Sequence, residues 1–167
     1  EEKDHYVYID KGMIRGKQYM LPVVVGSARI LAVNKDIMEQ AGVTELPNTW
    51  QDLVDVATKV KDANIENVIP FAQEWAEPAI GALNCIFYPY LWQAGGEIYN
   101  EEETELALMD DDAAVRAAQY LYDLRYKYNV LPEESMSLTA NELLNQFKAG
   151  NVAMAYIDTK GAAQLTD

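Results

Sequence analysis

The sequence predicts a domain of the α/β or α+β class, because short runs rich in β-branched and aromatic residues alternate with segments of helical periodicity. Half of the 167 residues are apolar, which is enough for a single domain with a core of its own. The chain carries neither an internal repeat nor a low-complexity tract. One domain in which strands and helices follow each other is therefore expected.

The strands are predicted from short apolar runs. Residues 19–25 read YMLPVVV, and Pro22 lacks the N–H that a paired strand donates, so this run favours an edge strand or a strand that crosses between domains. Gly26-Ser27 follows as a turn, and residues 28–33 (ARILAV) form a second strand. The remaining candidates for strands are residues 5–9, 67–71 and 152–157.

The helices are predicted from capping residues and apolar spacing. Asn34 can cap a helix over residues 35–40, which Gly42 ends, and Thr49 can cap a helix that begins at Trp50. Four further helices are expected: one that starts at Glu77-Pro78, is kinked or split at Pro89 and ends at Gly95-Gly96; one opened by residues 110–112 (DDD); and two over 141–149 and 160–165. The side chains expected on buried helix faces are Trp50, Leu53, Val54, Ala57 and Val60; Ile80, Leu83, Phe87 and Leu91; and Val115, Ala118, Leu121, Tyr122 and Leu124.

The charge balance excludes two classes of partner. The chain has 27 carboxylates against 13 lysines and arginines, a formal net charge of −14. Such a surface repels the phosphates of nucleic acids and of anionic membranes. Nor does any run approach the ~18 consecutive apolar residues of a membrane span. We therefore expect no nucleic-acid partner and no membrane insertion by this segment, while acidity alone names no ligand.

The sequence lacks the residues that common catalytic centres require. His5 is the single histidine, so a triad or metal site built on histidine is not expected. Gly12 and Gly16-Lys17 lack the spacing of a phosphate-binding loop, and Cys85 lies in an apolar run as a buried, inert thiol. We expect no cofactor, no metal and no enzymatic activity.

One carboxylate stands beside a large aromatic residue. Glu74 and Trp75 follow the predicted strand over 67–71. Together they could bind a sugar, with the indole stacking on its C–H groups and the carboxylate accepting from its hydroxyls. The alternative is that Trp75 packs into the edge of the domain, and the sequence leaves both open.

Six segments resemble motifs of one family, in that family's order. Residues 16–22 (GKQYMLP) resemble a GK-x-YGLP strand, and residues 33–36 (VNKD) resemble a YNKD motif. The other four segments are residues 38–42 (MEQAG), 47–53 (PNTWQDL), 92–99 (WQAGGEIY) and 147–154 (FKAGNVAM). They cover nearly the whole chain from residue 16, and the chain thereby resembles the family 1 extracellular solute-binding proteins of ABC importers.

The resemblance implies a periplasmic-binding-protein-like fold of type II. In that fold two α/β lobes are joined by crossing strands, and the ligand lies in the cleft between them. The matching stretch is the C-terminal lobe, so the α/β class is favoured, with a small mixed sheet flanked by helices. We expect residues 1–16 to be a connection from the other lobe, and residues 17–167 to be the C-terminal lobe, truncated before the return to the N-terminal lobe.

The resemblance also implies a set of ligand-binding residues, which come from three loops that face the cleft. It places Asp158 after the last strand, where the family often carries an aromatic residue three positions further on. Here Gly161 stands at that position, so one stacking ring is missing. The ligand-binding residues expected are Ser27, Arg29, Gln73, Glu74, Trp75 and Asp158, with Val25 and Gly26 in the first of these loops.

The function implied by the resemblance is capture of a small extracellular solute, a carbohydrate, for delivery to the membrane subunits of an ABC importer. The expected location is extracellular or periplasmic, with a lipid anchor at an N-terminus that precedes this segment. Two alternatives remain. One is a sensor or interaction ectodomain with the same fold, and the other is a glycosidase in which Glu74 is catalytic.

Overall fold

A computed structural model of the chain describes residues 5–22, 28–76, 81, 83–108 and 112–165. The strands are β1 (Met13–Ile14), β2 (Lys17–Gln18), β3 (Arg29–Val33), β4 (Ile69–Ala72) and β5 (Val152–Asp158); the helices are α1 (Lys35–Gln40), α2 (Trp50–Asp62), α3 (Tyr88–Gln93), α4 (Asp112–Tyr126), α5 (Ala140–Lys148) and α6 (Thr159–Ala163). A π-helical turn, Leu83–Phe87, leads directly into α3. The predicted α/β class is confirmed, and no helix in the described ranges is long and apolar enough to cross a membrane.

Strand β5 is the centre of a three-stranded sheet with the order β3-β5-β4. It runs antiparallel to β3, where Arg29 lies opposite Asp158, and parallel to β4, where Ala72 lies opposite Ala155. Residues 152–155 (VAMA) of this central strand are all buried because both faces of the sheet are covered, so they are apolar without alternation. The carboxyl ends of β4 and β5 and the start of β3 therefore lie at one edge of the sheet.

Two apolar clusters cover the sheet. Phe71 and Met154 belong to the larger one, with side chains from α1, α2 and α4, while Ala72 and Ile157 belong to the smaller one, with side chains from α5. Phe71 and Ala72 are consecutive in β4, so they point to opposite faces. The sheet is therefore packed between helices on both sides, which leaves its edges available for function.

The strand predicted over 19–25 is wrong for the residues that the structure describes. Strand β2 ends at Gln18, and Tyr19 and Met20 instead donate their backbone N–H groups to the carbonyl of Gly12. Residues 5–9 form turns rather than a strand. These runs have suitable composition, but within the described part of the chain no strand pairs with them. Residues 23–27 lie outside the described residues.

The predicted buried faces are correct for α2 and partly wrong for the later helices. Helix α4 exposes Val115 and Tyr122, because the face that packs against the core runs through Ala113, Ala117, Leu121 and Leu124. Ala118 and Leu83 are also exposed, although both were expected to be buried. Pro89 lies in the first turn of α3, directly after the π-helical turn, so the helical pattern changes next to this residue. Glu77, Pro78 and Ile80 fall outside the described residues.

Three tyrosines of the larger cluster should make the protein less stable at high pH. Burial raises the pKa values of Tyr90, Tyr120 and Tyr156 above the ordinary 10.0. A pKa that is higher in the folded state means that stability is intact below pH ~10 and is lost as the pH rises through the folded-state values. The urea midpoint should therefore begin to fall near pH ~10, and should fall less steeply in Tyr120→Phe. A midpoint that rises across this range would contradict the assignment.

Candidate functional site

The described members of the predicted site meet at the edge where β4 and β5 end. Arg29 opens β3 directly opposite Asp158, the last residue of β5. Gln73 and Glu74 follow β4 at the same edge, because β4 and β5 are parallel. Crevices at the carboxyl ends of strands are the usual ligand sites of such sheets. Ser27 lies outside the described residues, so its predicted role stays a prediction.

An ion pair between Arg29 and Glu74 lies at this edge. The Arg29 Nη2 atom contacts Glu74 Oε1, and the two side chains are only 21% and 6% exposed. Burial by itself lowers the pKa of the Arg29 guanidinium, but hydrogen bonds to Glu74 and to Cys85 outweigh it, and the net pKa is raised. Cys85, expected to be buried, is half-buried beside Arg29. The pair joins the start of β3 to the loop that follows β4.

Gln73 connects the loop that follows β4 to the core through hydrogen bonds. It is 2% exposed, and its Nε2 donates to the hydroxyl of Tyr90 at 2.9 Å. Its backbone N–H donates to Ser135 Oγ at 3.2 Å, and that hydroxyl in turn donates to the Gln73 carbonyl at 3.3 Å. Gln73 therefore connects the loop to the core rather than presenting a group at the surface.

Trp75 packs against the larger apolar cluster, as in the second alternative that the sequence left open. The ring is half-buried there, and the backbone N–H of Trp75 turns back to the carbonyl of Gln73 at 3.2 Å. An indole held against the core has part of its face already occupied. The sheet edge is therefore built from charged and polar groups more than from stacking rings.

Asp158 both caps a helix and borders a pocket. Its Oδ1 accepts from the backbone N–H of Gly161 at 2.6 Å, which fixes the start of α6. The pocket beside it has a volume of about 230 Å³. Its polar lining residues are Glu74, Asn141, Tyr156, Asp158, Lys160 and Gln164.

Gly161 borders the same pocket and has no room for a side chain. A Cβ atom there would lie 2.7 Å from Ile157 Cγ2 and 2.9 Å from Asp158 Oδ1. The local packing therefore excludes a side chain at this position in the present arrangement. The pocket stays open where an aromatic residue would otherwise stand.

The charges around the pocket balance. Two carboxylates, Glu74 and Asp158, are matched by two cations, Arg29 and Lys160. The sequence did not single out Lys160, Asn141, Tyr156 or Gln164; only the position of Lys160 just after Asp158 could have signalled it. Such a surface offers hydrogen-bond donors and acceptors to a neutral solute.

The geometry disfavours catalysis by Glu74. A glycosidase needs one carboxyl group to give up a proton and a second one across the cleft. Glu74 is engaged in the ion pair with Arg29, and Asp158 is engaged in capping α6. Within the described ranges no group of three or more histidine, cysteine, aspartate or glutamate side chains could hold a metal ion. The arrangement is suited to binding.

Comparison with known proteins supports this interpretation. Maltose-bound MalE3 of T. maritima aligns with 99% of this chain and 42% of its own, with a TM-score of 0.78 and 26% identity. An ABC transporter solute-binding protein of Thermotoga lettingae TMO, bound to α-D-tagatose, aligns with 80% of this chain and 33% of its own, with a TM-score of 0.65 and 26% identity.

A curated relative from Brucella abortus (strain 2308), named only as a candidate binding protein, is 29% identical over 147 residues. These residues are 88% of this chain and 34% of the relative, so the chain spans about a third of the length of the curated relatives it matches. The family of bacterial extracellular solute-binding proteins matches residues 2–166. The chain thus belongs to the bacterial extracellular solute-binding proteins, the family that its motifs indicated.

Proposed function

We propose that this chain is one lobe of a two-lobe binding protein and supplies half of a cleft for a neutral polyhydroxyl solute, a sugar or a polyol. The observation that carries the proposal is the charge-balanced, hydrogen-bonding edge formed by Arg29, Glu74, Asp158 and Lys160. Hydroxyl groups both donate and accept, so they can use the carboxylates and the cations at once. Two similar solved proteins carry maltose and α-D-tagatose.

The two-lobe arrangement is supported by coverage and by exposed apolar surface. The chain covers 42% of MalE3 while aligning over 99% of itself, as a single lobe would. Its first described segment exposes a series of large apolar side chains, which in a folded protein are normally covered. These exposed side chains are Tyr6, Val7, Tyr8, Met13, Ile14, Tyr19, Met20 and Leu21. We assign residues 1–16 to the connection and residues 17–167 to the C-terminal lobe.

The proposed mechanism is closure around the solute. Hydrogen bonds from this edge and from the opposite lobe would be completed only when the lobes meet, so binding would favour the closed form. The closed form would then dock on the membrane subunits of an ABC importer, outside the membrane and held near it by a lipid anchor. The solute is taken up unchanged, and no catalytic step is required.

The proposal is tested by measuring solute binding in the full-length protein. Calorimetry with neutral sugars and polyols should show binding, while charged analogues such as sugar phosphates or uronic acids should bind at least about tenfold more weakly, a difference of about 1.4 kcal/mol. Asp158→Ala should weaken binding by a similar factor, since it removes both an acceptor and the cap of α6.

The matched control is Thr49→Ala, which removes the cap of α2 and does not line the pocket beside Asp158. It should cost about 1 kcal/mol of stability and leave affinity unchanged. Preference for a charged solute, or equal loss of affinity in both variants, would count against the proposal.

A further inference from the structure

A second groove is bordered by two exposed aromatic rings. It has a volume of about 530 Å³ and lies between Trp92 of α3 and Tyr99 in the hairpin that follows. Trp92 is 49% exposed and Tyr99 is 54% exposed, although large rings gain free energy when they are buried. The groove shares no lining residue with the pocket at the sheet edge. It is therefore a separate surface that the proposed function does not use.

The hairpin that carries Tyr99 is held by its own hydrogen bonds. Tyr99 pairs with Leu106 across it, and Asn100 Oδ1 accepts from the backbone N–H groups of Thr104 at 2.8 Å and Glu105 at 3.1 Å. The backbone N–H of Asn100 donates to the carbonyl of Glu105 at 3.0 Å. A surface that is ordered before binding loses less entropy when a partner docks. The hairpin therefore presents Tyr99 and the turn in one defined arrangement.

Negative charge accumulates along the same hairpin. Residues 97–105 contain five glutamates, and Glu97, Glu101 and Glu103 line the groove. Within the described residues none of the five forms an ion pair. Glu103 also holds a left-handed φ of 55°, a conformation that glutamate rarely adopts. Neighbouring like charges repel each other and destabilise the fold. A cationic partner would reduce this repulsion between the glutamates of the hairpin.

We propose that this aromatic–acidic groove, formed by Trp92, Tyr99, Glu97, Glu101 and Glu103, docks a polypeptide segment that bears lysine or arginine side chains. A cation over the face of Trp or Tyr is attracted by the ring, and the adjacent carboxylates add charge-assisted hydrogen bonds. Arginine fits best, because its planar group both stacks on rings and pairs with carboxylates. The proposal does not depend on the solute that the sheet edge binds.

Charge complementarity favours a cationic polypeptide over other possible occupants of the groove. In the part of the chain that the structure describes, no cluster of carboxylates is arranged to hold a metal ion. Nucleic acid and anionic lipid would be repelled by these glutamates. A second copy is poorly matched, since each chain carries 13 cations against 27 carboxylates. Three carboxylates spread over residues 97–103 suit several cations along a segment better than a single small one.

The test is a titration of the protein with a labelled hexapeptide that contains three arginines, followed by fluorescence anisotropy. The control peptide has glutamine at the three positions. Binding of the arginine peptide should weaken about two- to fivefold in Tyr99→Ala, as expected for one exposed cation–π contact. Binding of the arginine peptide should also weaken in the double variant Glu101→Gln/Glu103→Gln. It should weaken as well when the salt concentration is raised.

Two matched variants control for exposure and for charge. Tyr122→Ala removes another exposed tyrosine, 58% exposed on α4, and Glu45→Gln/Glu66→Gln removes the same amount of charge elsewhere. Both should bind the peptide as the unmodified protein does. The proposal fails if the arginine peptide does not bind or if Tyr99→Ala binds it normally. It also fails if Glu45→Gln/Glu66→Gln weakens binding as much as Glu101→Gln/Glu103→Gln does. Displacement of the peptide by tetramethylammonium at an equal concentration of positive charge would contradict it as well.

Discussion

Replacing Arg29 by methionine should lower the free energy of unfolding by about 3–5 kcal/mol, because it leaves the carboxylate of Glu74 buried without its cation. Glu74 is 6% exposed, so water cannot take over the role of the guanidinium. The size of the effect comes from the charge that remains and not from the strength of the pair itself. Urea unfolding, followed by circular dichroism at neutral pH, measures the loss.

The double variant Arg29→Met/Glu74→Leu is the control for this prediction. Replacing both partners of a buried ion pair by apolar side chains of similar size is often neutral or stabilising. We therefore expect the double variant to recover most of the stability lost in Arg29→Met, while it loses the proposed binding of solute because the polar edge is gone. A single variant as stable as the unmodified protein would show that the pair is not buried as described.

Gly161→Ala should destabilise the protein by about 1–3 kcal/mol through overpacking. The new Cβ would meet Ile157 Cγ2 at 2.7 Å and Asp158 Oδ1 at 2.9 Å. Ile157 is β-branched and stiff, and Asp158 is held as the cap of α6, so neither can move away cheaply. Thermal unfolding would report the change, and affinity for solute should fall as well because Asp158 is displaced.

The matched control is Ala162→Gly in the same helix. It changes helix propensity without adding volume and should cost only about 0.5–1 kcal/mol. If Gly161→Ala costs no more than this control, the space around Gly161 is larger than the structure shows. The position could then accept a stacking side chain, and the explanation for its absence would be lost.

Much of the fold follows from local signals. Helix α1 was predicted with its observed bounds because Asn34 caps it, and its Oδ1 accepts from the N–H groups of Asp36 and Ile37. Thr49 was predicted to cap α2, and together with Asp52 it forms a complete capping box. Strands β3 and β5 were predicted to within one residue because β-branched and apolar residues cluster there. Such elements are determined by residues close in sequence.

The wrong predictions concern segments whose structure depends on contacts with residues that are distant in sequence. The run over 19–25 has strand composition, but a strand needs a neighbour, and the sequence does not say whether one is present. Val115 and Tyr122 have the spacing of a buried face, yet the side of α4 that packs against the core runs through Ala113, Ala117, Leu121 and Leu124. Tertiary contacts therefore overrule local pattern at both places.

For the candidate site as well, the positions of residues were predicted from the sequence, whereas their spatial arrangement was not. The resemblance supplied Arg29, Glu74 and Asp158 as separate positions in three loops. That Arg29 faces Asp158 and pairs with Glu74 depends on the strand order β3-β5-β4 and on its register, which no local pattern encodes. Lys160 and Asn141 were missed because charged and amide residues at helix starts are common for other reasons.

The central claim is that this chain carries one half of a solute site. It is tested most directly by titrating one neutral sugar or polyol into the 167-residue chain and into the full-length two-lobe protein, side by side in a calorimeter. We expect micromolar affinity for the full-length protein and binding at least about 100-fold weaker for the chain alone, a loss of about 2.7 kcal/mol, because closure needs both lobes. Equal affinity in the two titrations would contradict the account.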